Sequence, residues 1–339
     1  MRRTVLGPVL AATVLAPVLA AAVPAPRDLR PRPETLSPYP TYVQHVERAV
    51  IGLRVKAADD AVSSERLGSR RFTSAVIFDQ RGYAVTVSYA LLDAVKVEAR
   101  FRDGRGVAAS VVGIDFDSGL GIVKLDGEGP WPTARLGDSR DVRVGAVSGT
   151  VGVDEDDDLV YVTGAVKAIR RFSAYWEYML PRALIVAPSS PSWGGSALVD
   201  ERGDVVGIAS LRLGEEPYVN LVIPMEKFLP VKDELISVGK VVSRPPRPWL
   251  GVYTIGGTNG VVVDGLSPQG PAYQAGLRKG DRVVGVNGVA VSSQEEFYEQ
   301  LWRGEAGDVI RVAVIREEGR RVIPVRSIDR AQLYRTGGR

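Results

Sequence analysis

Residues 188–208 read PSSPSWGGSALVDERGDVVGI. A loop of Pro and Ser runs into the apolar triplet Ala197–Val199, then the turn Asp200–Gly203, then a second apolar run, which is the pattern of a surface loop feeding a β-hairpin. Gly194 and Gly195 are adjacent where the loop turns, with Ser192 and Ser196 on either side. A backbone that tight implies that something is held there. The D-x-R-G turn of this hairpin occurs once more, at Asp79–Gly82 in VIFDQRGYAVTV. Asp suits the first position of such a turn and Gly the last, and the recurrence suggests two related β halves.

Working outward, the sequence between residue 41 and about residue 240 is a series of short apolar strands separated by turn signals, among them VKVEARFRDGRGVAASVVGID (95–115), GIVKLD, LVYVTGAVKAI, ALIVAP and VNLVIP. This predicts a mainly β fold, as a sandwich or barrel. TYVQHVERAVIGLRV (41–55) starts as a short helix with Val43, Val46, Ala49 and Val50 on one face and continues into a strand. A Pro-rich stretch, VVSRPPRPWLG (241–251), then separates a second, smaller unit. There, strands GVVVDGL and DRVVGVNGV precede a helix, SSQEEFYEQLWR (292–303), and two closing strands. Ser292 or Ser293 can cap that helix, with Glu295 and Glu296 in its first turn.

The first 25 residues have the form of a secretory signal: a basic MRR, the Ala-rich apolar run TVLGPVLAATVLAPVLAAAV, and a small-residue stretch near Ala20–Ala25. The alternative is an uncleaved anchor, interrupted by Pro8 and Pro17. Either reading places the rest of the chain outside the cytoplasm, secreted or periplasmic, and membrane contact enters only with the uncleaved form. The expected organisation is therefore a leader (1–25), a Pro-rich linker (26–40), a β domain (41–240), a second linker (241–248), a C-terminal domain (249–329) and a tail (330–339).

Composition limits the chemistry. The 339 residues carry 43 basic and 40 acidic side chains for a net +3; without Arg2 and Arg3 of the leader the balance is 41 against 40. No basic stripe interleaved with aromatics points to nucleic acid. There are no cysteines, so thiolate chemistry, disulfides and Cys-based metal sites are excluded. His45 is the only histidine, which rules out a multi-His metal site and leaves one imidazole as a base. No cofactor is expected. The acidic run Asp154–Asp158 lacks the glycine-containing loop of a calcium hand and reads as a solvated loop. Tyr175, Trp176 and Tyr178 form an aromatic cluster readable as a peptide-contacting patch, as packing, or as an oligomer contact.

These motifs together resemble the HtrA-type secreted proteases, in which a chymotrypsin-like double β-barrel is followed by a PDZ domain. DQRGYAVTVSYAL resembles the strand that carries the family's catalytic His. VVGIDFDSGLGIVKLD resembles its G-x-D-x-x-T-D-L-A-V-L-K segment. PSSPSWGGSALV resembles N-P-G-N-S-G-G-P-L-V, and WLGV with GLSPQGPAYQAGLRKGDRVVGVNGVAV resembles its PDZ domain. The order, spacing and linker position are all kept.

The departures fall on the chemistry. The resemblance puts Tyr89 at the His position, Gly119 at the Asp position and Gly194 at the Ser position, so all three triad roles read as vacant. A tyrosine with an ordinary pKa near ~10 does not take and return a proton at neutral pH as imidazole does. A glycine neither attacks nor orients. Ser192 and Ser196 would each need a base. His45 precedes the first barrel strand, and a Ser–Lys dyad would have to recruit Lys56, Lys96, Lys124 or Lys167. Ser192, Trp193 and Gly194 correspond to the oxyanion turn. It survives either to close the hairpin or to grip a peptide carbonyl or carboxylate without cutting.

The resemblance further implies that Leu250, Gly251 and Val252 hold a peptide's terminal carboxylate, with Phe297 and Leu301 lining the pocket for its last side chain. The expected activity is that of a non-catalytic adaptor, sensor or chaperone that binds peptide C-termini or unfolded segments. A homotrimer built through the N-terminal segment, with Tyr39 and Tyr42 as contacts, is implied as well. The alternatives are a serine endopeptidase with a rearranged site and an inactive subunit that modulates an active paralogue.

Overall fold

The computed structural model describes residues 39–257 and 260–335; the predicted leader and all but the end of the first linker lie outside them. Six antiparallel strands, β1 (Val50–Ala57), β2 (Arg70–Asp79), β3 (Tyr83–Val87), β4 (Ala94–Arg100), β5 (Gly106–Asp115) and β6 (Leu120–Leu125), close into a barrel in the order β1-β2-β3-β6-β5-β4. A second barrel closes from β7 (Val147–Val153), β8 (Leu159–Ala174), β9 (Tyr178–Ala187), β10 (Ala197–Val199), β11 (Val205–Leu213) and β12 (Val219–Pro224), in the order β10-β11-β12-β9-β8-β7. Counted from its own first strand, each barrel has the same 1-2-3-6-5-4 order. Closure removes the open edges that β strands otherwise expose. One apolar core, which includes Leu53, Ile77, Leu120, Val151, Leu180 and Ile208, draws on both barrels.

The D-x-R-G turns form as the sequence requires. Gly82 and Gly203 have φ of +94° and +81°, their N–H groups bond Asp79 and Asp200 carbonyls at 2.8 and 2.9 Å, and each Asp carboxylate accepts the N–H of the following Arg81 or Arg202. The turns do not mark the duplication, however. The first joins strands 2 and 3 of its barrel and the second joins strands 4 and 5 of the other. The shared motif is local turn chemistry recurring at non-equivalent hairpins.

Four short helices accompany the barrels: α1 (Thr41–Gln44), α2 (Ser64–Leu67), α3 (Ser88–Leu91) and α4 (Lys232–Val238). The helix predicted from residue 41 is a single turn that buries Val43 and is followed by Val46 and Ala49 before β1. Tyr39 and Tyr42 of this segment lie on β8: the Tyr39 ring meets Tyr161 edge-on at 5.5 Å, and the Tyr42 hydroxyl pairs with that of Thr163.

The C-terminal sheet comprises β13 (Val252–Gly257), β14 (Gly260–Leu266), β15 (Arg282–Val286), β16 (Val289–Ala290), β17 (Val309–Arg316) and β18 (Gly319–Arg326), ordered β13-β14-β15-β17-β18 with β16 paired to β15. Helices α5 (Pro271–Gln274) and α6 (Gln294–Leu301) accompany it. Along β17, Ile310, Val312 and Val314 are buried while Val309 and Arg311 face solvent, the period of two that one covered face demands. Ser293 caps α6 by accepting the Glu296 N–H at 3.1 Å, and the Glu296 carboxylate accepts the Ser292 N–H at 2.7 Å, a reciprocal cap.

Candidate functional site: a cleft and a carboxylate-holding loop

The three positions matched to a catalytic triad converge. Val87 ends β3, so Tyr89 stands in the one-turn helix α3, where the Ser88 N–H bonds the Gly119 carbonyl at 2.8 Å. The Tyr89 hydroxyl reaches the second barrel and donates to the Ser210 carbonyl at 2.8 Å. A Cβ built on Gly194 would lie 3.4 Å from that hydroxyl, an ordinary contact. Burial raises the Tyr89 phenol well above its usual pKa, so it stays protonated and engaged with Ser210 as a strut.

The two glycines of the opening stretch do different work. Gly195 has φ +76°, and a Cβ there would run into the Ser74 carbonyl and approach the Thr73 hydroxyl to 2.6 Å. Only glycine fits. Its neighbour supplies a carbonyl that accepts the Ser74 N–H at 2.8 Å and the Thr73 hydroxyl at 2.9 Å, stitching the turn to β2. Gly194 itself has room for a side chain and lacks one. Among the described residues, the N–H groups of Trp193 and Gly194 have no protein acceptor. The fully buried Ser196 hydroxyl points under the turn to the Ser192 carbonyl.

The position expected to be an empty acid slot is filled. Gly119 has φ +79°, and a Cβ on it would meet the Tyr178 hydroxyl at 2.9 Å. Tyr178, at the start of β9, donates to the Ser118 carbonyl at 2.7 Å across the space an acid side chain would need. The acids nearby in sequence are committed elsewhere: Asp115 pairs with Arg244 at 2.6 Å, and Asp117 pairs with Arg244 and Arg247 at 3.0 Å each, which fixes the Pro-rich linker against the barrel.

Tyr89, Gly119, Trp176, Tyr178 and Trp193 line a cavity of about 330 Å³ that extends to Tyr253 of the C-terminal domain. Among the described residues, no lysine borders it. His45 is exposed at the end of α1, its Nδ1 2.8 Å from the Arg202 carbonyl on the β10–β11 turn. Among the residues that line the cleft, neither an imidazole nor a lysine stands beside a hydroxyl. What it offers a peptide is the aromatic surface of Trp176, Tyr178 and Trp193.

The second centre lies at the C-terminal domain. Leu250, Gly251 and Val252 turn their N–H groups toward one point, helped by Gly251 at φ +80°, and a carboxylate sits there. It belongs to Glu177, at the β8–β9 turn. Its oxygens accept from Leu250 at 3.0 Å, Gly251 at 2.6 Å and Val252 at 2.8 Å. Burial pushes the Glu177 carboxyl up to about 7; the three N–H donors and the charge of Arg330 act the other way and are outweighed.

Phe297 and Leu301 are both buried in the core of the domain. The α6 side chains that turn toward β13 and the β8–β9 turn are Gln294 and Tyr298. Gln294 donates to the Thr254 carbonyl at 2.7 Å, and the Tyr298 hydroxyl lies 3.0 Å from that of Thr254. Sequence reasoning singled out the aromatics of SAYWEYML and passed over its one acid. The signal available was a lone Glu in an otherwise apolar run, a costly residue to bury without donors. In the acidic run, Asp154 accepts the N–H groups of Asp156 and Asp158 at 3.0 and 2.9 Å, and Asp157 pairs with Arg54 and Arg100 at 3.0 and 3.2 Å.

Comparison with known proteins agrees with this architecture. A trypsin-like peptidase domain profile matches residues 73–208 and a PDZ domain profile matches residues 248–326. The serine endoprotease DegS of Escherichia coli strain K12 is 28% identical over 307 residues, covering 84% of each chain. A probable periplasmic serine endoprotease DegP-like protein of Halomonas elongata is 28% identical over 277 residues, covering 76% of this chain and 56% of its own. In fold, the chain is similar to the HtrA-type protease AlgW with tripeptide, with a TM-score of 0.54 at 24% identity over 85% of this chain and 95% of that one. Among the described residues, no helix is long and apolar enough to cross a membrane. With its trypsin-like double barrel, its PDZ domain and relatives that match along most of its length, the chain belongs to the HtrA-type protease family.

Proposed function

We propose that this chain is a non-catalytic, extracytoplasmic HtrA-type protein that binds peptide C-termini or unfolded segments through its PDZ domain, as an adaptor, sensor or chaperone. The observation that carries the reading is the loop Leu250–Val252, whose three N–H groups converge on a carboxylate at 2.6–3.0 Å. That is the arrangement needed to capture a chain terminus alongside an exposed strand. AlgW has been solved with a decapeptide and a tripeptide, and several relatives carry the description periplasmic, which supports both the ligand class and the compartment.

The cleft supports the non-catalytic half of the proposal. A Ser-His-Asp mechanism needs a hydroxyl, an imidazole base and an orienting acid. The matched positions offer Gly194, a phenol bonded to Ser210, and a glycine whose side-chain space Tyr178 occupies. Purified mature chain incubated with casein is expected to yield no fragments and to take no label from a fluorophosphonate serine probe. Cleavage blocked by that probe and lost on Ser192→Ala or Ser196→Ala would overturn the reading.

A further inference from the structure

The groove between β13 and α6, where a strand-adding peptide would lie, is already occupied by residues 174–177 of the same chain. The Thr254 N–H bonds the Tyr175 carbonyl at 2.8 Å, the backbone bond that an added strand makes. Two residues along, the Glu177 carboxylate fills the terminal loop. Tyr298 of α6 donates its hydroxyl to the Ala174 carbonyl at 2.7 Å and accepts the Glu177 N–H at 3.1 Å, so the segment is bonded on both walls. Ser173 donates to Glu295 at 2.8 Å and Arg171 pairs with Glu299 at 2.7 Å, which extends the contact along the helix.

Resting on the peptide-binding reading above, we propose that the β8–β9 turn is an internal ligand of the PDZ groove: the Glu177 side chain stands in for a peptide's terminal carboxylate, and an incoming peptide binds only by displacing it. Simple interdomain packing does not account for the residue. Filling this space with a carboxylate costs desolvation that an apolar side chain would avoid, and the residue takes a left-handed backbone, φ +53°, that non-glycine residues seldom adopt. Both costs make the closed turn easier to displace. An intramolecular ligand needs little intrinsic affinity, because tethering presents it at an effective concentration on the order of millimolar.

The test uses the full mature chain as wild type, Glu177→Asn and Glu177→Gln. Asn tolerates the left-handed turn but is neutral and one methylene shorter; Gln keeps the size and loses the charge. The probe is a fluorescein-labelled pool of random decapeptides ending in Val, Leu or Phe with a free carboxylate, alongside the same pool amidated at the C-terminus. Anisotropy gives affinity, and hydrogen exchange reads the amides of residues 250–254 without ligand. The expected result is that Glu177→Asn binds the free-acid pool on the order of tenfold or more tighter than wild type, with faster exchange at those amides and Gln in between. If Glu177→Asn does not fold, the isosteric Gln variant carries the same comparison. Equal affinity in wild type and variants would overturn the internal-ligand proposal and leave peptide binding standing. Failure of all three proteins to bind the free-acid pool would overturn the peptide reading and this proposal with it.

Discussion

Glu177 makes the stability of the protein depend on pH in a direction opposite to that of most carboxylates. Its folded-state carboxyl titrates at about 7 against an ordinary 4.5, so the folded form holds the proton more tightly than the unfolded chain. A raised folded pKa contributes stability that is fully present below the unfolded value and is lost as pH rises through the folded value. The gap of about 2.5 pH units corresponds to roughly 3.4 kcal/mol in all, of which about 2.5 kcal/mol falls between about pH 5 and 8. The groups facing Glu177 do not reverse the sign. The Arg330 guanidinium lowers the pKa within that balance and is outweighed by burial, while Tyr253 and Tyr298 are themselves raised by burial and stay protonated. Urea denaturation of wild type and Glu177→Gln across this range isolates the effect, since the amide does not titrate. The wild type is expected to lose about 2.5 kcal/mol relative to the variant on going from about pH 5 to 8. Superimposable profiles would refute the reasoning, as would a wild type that gains on the variant with rising pH.

Gly195→Ala is expected to cost at least about 2 kcal/mol in chemical denaturation, from its left-handed backbone and the collision with Ser74, while Gly194→Ala changes stability by less than about 1 kcal/mol because its Cβ has room. The double substitution Tyr89→His with Gly194→Ser is expected to cleave no casein, since an imidazole without its orienting acid forfeits about 10⁴ in rate; adding Gly119→Asp with Tyr178 in place lowers the melting temperature and restores nothing. His45→Ala is expected to leave peptide binding unchanged and to cost about 1 kcal/mol or less, the worth of one exposed hydrogen bond to the Arg202 carbonyl.

Much of this was readable in the sequence wherever a short stretch carries its own chemistry. The D-x-R-G turns at Asp79 and Asp200 and the Ser293 cap are local devices, and they form as expected. The convergence of Tyr89, Gly119 and Gly194 was legible because motif order and spacing survive. The two related halves that the repeated turn suggests are present as two barrels of the same strand order, but the turn is not what relates them: turn chemistry recurs wherever the backbone needs it, and here the hairpins are not equivalent. What stayed hidden lies in contacts distant along the chain. Tyr178 reaches Ser118 from 60 residues away and Glu177 reaches Gly251 from 74. No periodicity records such pairs. The two adjacent glycines also looked alike, and only the approach of β2 separates the one that must be glycine from the one that need not be.

The Tyr178 hydroxyl beside Gly119 makes the missing acid a ratchet. Asp at residue 119 alone collides with the phenol and inherits a backbone that disfavours any side chain. Trimming Tyr178 alone opens a hole in a wall where the residue is 7% exposed, a loss of about 3 kcal/mol for a large aromatic. Each step is a loss, and making both removes the collision while the left-handed backbone at residue 119 still opposes the acid. A mutational walk from this chain back toward an acid-bearing cleft must cross a trough in stability before it meets any gain in function, and a screen that changes one residue at a time will not find the way.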